Sequence, residues 1–216
     1  MGLFNNLFGS MDAAARAVRE KAAANAAPDT PIPFGFKTSW LCIKADSPET
    51  VIKKLGLKDP MVSGWKFALE NCDHGMFVSP VLDGFVLVIG WGTDIITEDP
   101  KRLDEVGGMF PEVQYFASHR IVDYAAWVKY ENGVKVRAYG YCGDMGVLVN
   151  EGEPTGEEIE LGFVNFLPDN ESDDEVDWDK FDTPDEDTVV MIAAAWGIDT
   201  LKMDEYPAST GFYCKY

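Results

Sequence analysis

Two dipeptides, Asp83-Gly84 and Asn132-Gly133, constrain the fold of this chain more than any other feature of it. Each sits between two apolar runs, residues 76–82 and 85–91 in the first case, 124–130 and 134–141 in the second. A two-residue hairpin loop needs positive φ at its central positions, which Asn, Asp and Gly tolerate best, so both sites predict tight antiparallel hairpins. Regular strand–helix–strand alternation is missing. The expectation is therefore an α+β fold, a mostly antiparallel sheet built around two hairpins with helices packed on one face. On the second strand of the second hairpin, Val134, Val136 and Ala138 alternate with Lys135, Arg137 and Tyr139, which predicts one wet face.

Helix signals punctuate the rest. Ser47-Pro48-Glu49 supplies an N-cap, a first-turn proline and an acid, and Gly56 supplies the stop. A helical stretch is expected over residues 60–71, and Asp99-Pro100 opens another. Thr155 and Glu158 form a capping box closed by Gly162, and Thr183-Pro184-Asp185-Glu186 leads into a longer apolar helix ending at Gly197. Residues 37–44 and 113–117 have strand composition, and 211–216 is expected to pair as an edge strand. Residues 1–27 are Ala-rich and predict a helical extension. Residues 28–33, with Pro28, Pro31 and Pro33, predict a linker, and residues 34–216 a single domain. The extension lacks a myristoylation signal, because Asn6 stands where Ser or Thr is required.

With 46% hydrophobic residues the chain can bury a substantial core. No run approaches the roughly 18 apolar residues of a membrane helix, and no secretory signal is visible, so a cytoplasmic protein is expected. A net charge of −19 argues against nucleic-acid binding, which relies on Lys and Arg against phosphates. It argues equally against anionic membrane surfaces.

Catalytic signals are weak. The four cysteines, Cys42, Cys72, Cys142 and Cys214, form no close pair, and there are two histidines, His74 and His119. That spacing does not suit zinc, and no cofactor is expected. Cys72 and His74, two apart, would share one side of a strand, so a thiol nucleophile with its base is conceivable there. His119-Arg120 could hold an anion. No dinucleotide, P-loop, nucleophile-elbow or HExxH motif occurs, and Gly107-Gly108 and Gly90-x-Gly92 are too short for phosphate loops.

Charge, in contrast, is unevenly placed. Residues 151–216 hold 19 acids and 3 bases, while 1–150 hold 18 and 15, so the C-terminal third carries −16 of the −19. The densest stretch contains Asp169, Glu171, Asp173, Asp174, Glu175, Asp177, Trp178 and Asp179. An EF-hand reading fails there, since Asp174 stands at the glycine position and Lys180 at the final glutamate. A solvated loop is one reading, and Asp185, Glu186 and Asp187 in a first helical turn need no partner at all. A docking surface for a basic protein is the other, with Val176, Trp178 and Phe181 as apolar anchors. Small acidic α+β proteins without a catalytic constellation are similar in type to bacterial immunity proteins, which cover the active sites of toxins. The expected function is thus non-catalytic binding of a basic partner, most specifically a toxin. The alternatives are an enzyme using Cys/His or carboxylate groups, or a cation-binding regulatory protein.

Overall fold

A computed structural model describes residues 25–90, 99–143, 145–165, 181 and 183–215. Its centre is a nine-stranded sheet: β1 (Ser39–Lys44), β2 (Lys58–Ser63), β3 (Met76–Leu82), β4 (Phe85–Ile89), β5 (Glu112–His119), β6 (Tyr124–Glu131), β7 (Val134–Cys142), β8 (Gly146–Glu151) and β9 (Gly211–Lys215). They lie in the order β2-β9-β3-β4-β1-β5-β6-β7-β8, and every pairing is antiparallel. Both expected hairpins are present, with Asp83-Gly84 and Asn132-Gly133 all at positive φ. Of the Ala-rich extension expected over residues 1–27, residues 1–24 lie outside the described residues.

Among the described residues five α-helices flank the sheet: α1 (Pro48–Leu55), α2 (Trp65–Glu70), α3 (Pro100–Gly107), α4 (Gly156–Glu160) and α5 (Glu186–Trp196), with 3-10 segments at Cys72–His74 and Thr200–Glu205. The caps read from the sequence form as expected at Ser47, Asp99 and Thr155. α5 is capped by Asp185. Helices cover both faces of the sheet instead of one. Trp65, Phe67, Val189, Ile192 and Trp196 join Trp40, Cys42, Leu87 and Phe116 on the first face. Val51, Ile52, Leu103 and Val106 join Leu41, Ile43, Val86 and Val88 on the second. β4 accordingly reads Phe-Val-Leu-Val-Ile with every residue buried, as a strand covered on both sides must.

Three further differences from expectation have local causes. Residues 58–63 form a strand, where a helix was expected from 60, because Met61, Val62 and Ser63 pair with Tyr213, Phe212 and Gly211; the helix begins only at Trp65. This strand is an edge, and Lys58, Pro60 and a register shift with Asp59 at positive φ make it a poor template for further pairing. β9, expected at an edge, lies between β2 and β3.

The third is the wet face expected on β7. Lys129 pairs with Arg137, but Tyr130 pairs with Lys135, so Val136 is an extra residue. The bulge reverses the alternation. Lys135 lines one side with Tyr130 and Ala138, while Arg137 turns to the other with Trp127 and Tyr139. Arg137 is 1% exposed and Glu158 is fully buried, whereas the apolar Val134 is 62% exposed.

Burying a guanidinium requires full compensation. Arg137 Nε donates to Glu158 Oε1 at 3.0 Å, and Nη1 donates to Asn150 Oδ1 at 2.7 Å and Gly152 O at 3.1 Å. Trp127 Nε1 also donates to Glu158 Oε1, at 3.0 Å. Glu158 Oε2 accepts the Thr155 N–H at 2.8 Å, closing the capping box. One carboxylate thus neutralises the buried arginine, caps α4 and fastens that helix to β6 and β7.

Within the proline-rich stretch, Asp29 is anchored to the body. It bridges to Ser209, and its carboxylate accepts the N–H groups of Trp65 and Lys66 at 2.5 and 3.0 Å. Gly64, at the N-cap of α2, offers no side chain, so a distant aspartate caps this helix.

Two measurements check these assignments. Asp29→Ala is expected to lower the unfolding free energy by about 1–2 kcal/mol in urea titration; an unchanged midpoint would refute the capping role. Arg137→Met alone is expected to lose about 3–5 kcal/mol by stranding Glu158, and Arg137→Met with Glu158→Leu to lose less than the single variant. Equal losses in the single and double variants would show that charge pairing is not what holds the two residues.

Candidate functional site

Cys72 and His74 share one 3-10 turn, not a strand. Three residues per turn place positions i and i+2 about 120° apart around the axis, so the two side chains do not project from one side. Burial, with Asp73 next to it, raises the Cys72 thiol pKa, the opposite of what a thiolate nucleophile needs. Burial also raises Cys42 and lifts Cys214 to about 12. His119 ends β5, and its buried Nδ1 has no partner among the described residues. β4 and β1 lie between β3 and β5, so His74 and His119 stand about three inter-strand steps apart, roughly 14 Å. The structure does not bring the catalytic candidates together.

Glycines that resembled fragments of phosphate loops answer to packing. A Cβ on Gly107 would lie 2.3 Å from the Tyr130 ring, and one on Gly90, whose φ is 95°, would lie 2.8 Å from the Gly75 carbonyl. Close packing explains both, against a side-chain ring at Gly107 and against backbone at Gly90.

Of the concavities, one of about 650 Å³ lies at the far end of the sheet between Lys44, Lys54, Val81 and Phe110. Its lysines are engaged: Lys54 Nζ donates to Met109 O, and Lys44 lies 3.6 Å from Glu112. Another, of about 230 Å³, is floored by Val128, Ala138, Leu148 and Val149. At its rim Lys135 contacts Asp104 at 3.0 Å and Glu151 at 3.3 Å. Burial works against the Lys135 charge, yet its hydrogen bond to Asp104 and the nearby Glu151 leave its pKa raised overall. That ion cluster holds α3 to β7 and β8. Among the described residues no set of three His, Cys, Asp or Glu side chains is gathered as metal ligands.

The opposite end of the sheet differs in character. The β5–β6 turn carries Arg120, Ile121, Val122 and Asp123, and the β7–β8 turn carries Gly143 and Met145. The two turns are fastened together: Gly143 N donates to Val122 O at 3.0 Å, and the Cys142 thiol to the same oxygen at 3.4 Å. Ile121 is 72% exposed, Met145 66%, and Val122 is exposed beside them. The first turn of α5 adjoins this tip. Arg120, Asp123 and Tyr124 line a small cleft of about 150 Å³ with Asp185, Glu186 and Asp187. Lys37 N donates to both Ser118 Oγ and Glu186 Oε1, which ties the approach to β1 to the same end.

Asp169, Glu171, Asp173, Asp174, Glu175, Asp177, Trp178 and Asp179, the residues singled out from the sequence, lie outside the described residues. Phe181 is half-buried against the layer formed by Trp196 and Tyr139. Sequence reasoning missed the tip because Ile121 and Val122, beyond the strand expected over 113–117, were not singled out. Their signal was that they occupy a turn between two strands, where Gly, Asn, Asp and Pro prevail.

Comparison of the chain with protein-family models, with curated proteins and with solved structures returned no match.

The thiols give this section its prediction. At pH 8 the native chain is expected to react with iodoacetamide more slowly than free cysteine, with the rate climbing only above about pH 9. Because the folded pKa of Cys214 exceeds its unfolded value of 9.0, its contribution to stability is complete below pH 9 and is lost as pH rises towards 12. Rapid alkylation of Cys72 at neutral pH would reinstate it as a nucleophile.

Proposed function

We propose that this chain is a non-catalytic binding protein whose acidic C-terminal third engages a basic protein. In its most specific form the reading is an immunity-type protein that neutralises a cationic toxin. The observation that carries it is charge segregation: residues 151–216 hold −16 of the net −19. Charge concentrated in one part of a chain can steer an oppositely charged partner and set its orientation. The acidic first turn of α5 offers part of that charge next to exposed apolar side chains, and an interface needs both. The Cys/His form of the enzyme alternative draws no support from Cys72 and His74, given their geometry and the raised thiol pKa; its carboxylate form rests on no site gathered among the described residues.

The test is affinity capture by the full chain at low and at high salt, followed by identification and purification of what is captured. A basic protein is expected, with affinity falling about tenfold or more between 50 and 500 mM salt. Asp173→Asn with Asp174→Asn and Asp177→Asn should weaken binding further. A partner indifferent both to salt and to these substitutions would sink the proposal, and so would a neutral or acidic one.

A further inference from the structure

Resting on the protein-binding reading, we propose that the paired β5–β6 and β7–β8 turns are the docking tip. It would accept a cationic protein surface that presents apolar side chains among lysines or arginines. Ile121, Val122 and Met145 are the apolar anchors; Asp123, Asp185, Glu186 and Asp187 form the charged collar.

Three observations converge on this tip. First, the fold leaves Ile121 and Met145 mostly, and Val122 in part, open to solvent. The Asp83-Gly84 and Asn132-Gly133 turns carry turn-forming residues, whereas β-branched Ile121 and Val122 occupy a turn and remain exposed. Exposed apolar residues scattered singly are ordinary, but here three stand on two turns joined by hydrogen bonds.

Second, the tip is held in place before any partner arrives. Val122 N donates to His119 O at 3.2 Å and Met145 N to Cys142 O at 3.0 Å, in addition to the bonds between the turns. Anchors fixed in this way lose little conformational freedom on binding. Third, the charge selects the occupant. Four acids and one base, Arg120, line the cleft beside the anchors, so the complementary surface is basic. The same collar disfavours the two other occupants suited to apolar loops. Anionic lipid would be repelled, and a second copy would set collar against collar.

The probe is a synthetic amphipathic helix of Leu and Lys, with poly-lysine as comparator, titrated into the full isotope-labelled chain and followed by NMR. The Leu/Lys peptide is expected to shift the amide signals of residues 119–124, 143–146 and 185–187. Ile121→Ser with Met145→Ser, both at exposed positions, should leave the thermal melt unchanged. The same pair should weaken the Leu/Lys peptide by at least about tenfold, as loss of interface anchors does, while poly-lysine binds as before. Failure of the parent to bind the peptide overturns the inference, as do shifts confined to other residues or equal affinity in the double variant. Self-association, or co-sedimentation with zwitterionic vesicles, that disappears in the double variant would reassign the tip and also overturn it. If the triple Asp→Asn variant weakens a captured partner and the Ile121/Met145 variant does not, the protein-binding reading stands and only the tip falls.

Discussion

Every strand at the centre of this molecule has to be covered twice. Trp40, Leu41, Cys42 and Ile43 of β1 are successive and all fully buried, and β4 beside it is buried throughout. Side chains alternate across a strand, so no arrangement with helices on one face could keep these residues dry. From that requirement follow the division of the helices, with α1 and α3 on one side and α2 and α5 on the other, and the two separate apolar layers. Both layers extend over the β5–β8 meander, and the tip turns are the ends of its strands.

The meander meets a different problem where polar residues enter the apolar layer. The bulge at Val136 sends Arg137 inward, and the answer is a single carboxylate brought in by α4. Because Glu158 also closes its own helix cap, the short α4 and the buried charge stabilise one another. A six-position loop-to-helix segment such as 155–160 would be marginal alone, since isolated short helices gain too little from backbone hydrogen bonding.

Much of this architecture was legible in the sequence wherever a signal was local. The hairpin dipeptides, the Ser47, Asp99 and Thr155 caps and the glycine stops depend on a few adjacent residues, and the structure has them where they were read. What escaped reading depended on partners far away in the chain. The assignment of residues 58–63 turned on Tyr213 and Phe212, and the fate of Arg137 on one extra residue in β7 and a glutamate 21 positions later. The two-sided cover was in fact visible in Phe-Val-Leu-Val-Ile, an unbroken apolar run that no half-wet strand would show. For the candidate site, the acidic charge was plain in the composition, whereas the Ile121/Met145 tip emerges only when two turns 20 or more residues apart are set side by side.

The insertion of β9 between β2 and β3 has a kinetic side. β5 to β8 pair with their immediate neighbours in sequence, so that half of the sheet can form by short loop closures. β9 pairs Lys215 with Lys58 and Tyr213 with Phe77, separations of 157 and 136 residues by subtraction. Pairings so distant form late, after the entropy of long loops has been overcome. Until then β3 presents an open, apolar edge containing Met76, Phe77 and Val78, a template for any foreign strand. The interval before β9 docks is thus when this protein is most exposed to aggregation, an order of events that pulse-labelled hydrogen exchange would read directly.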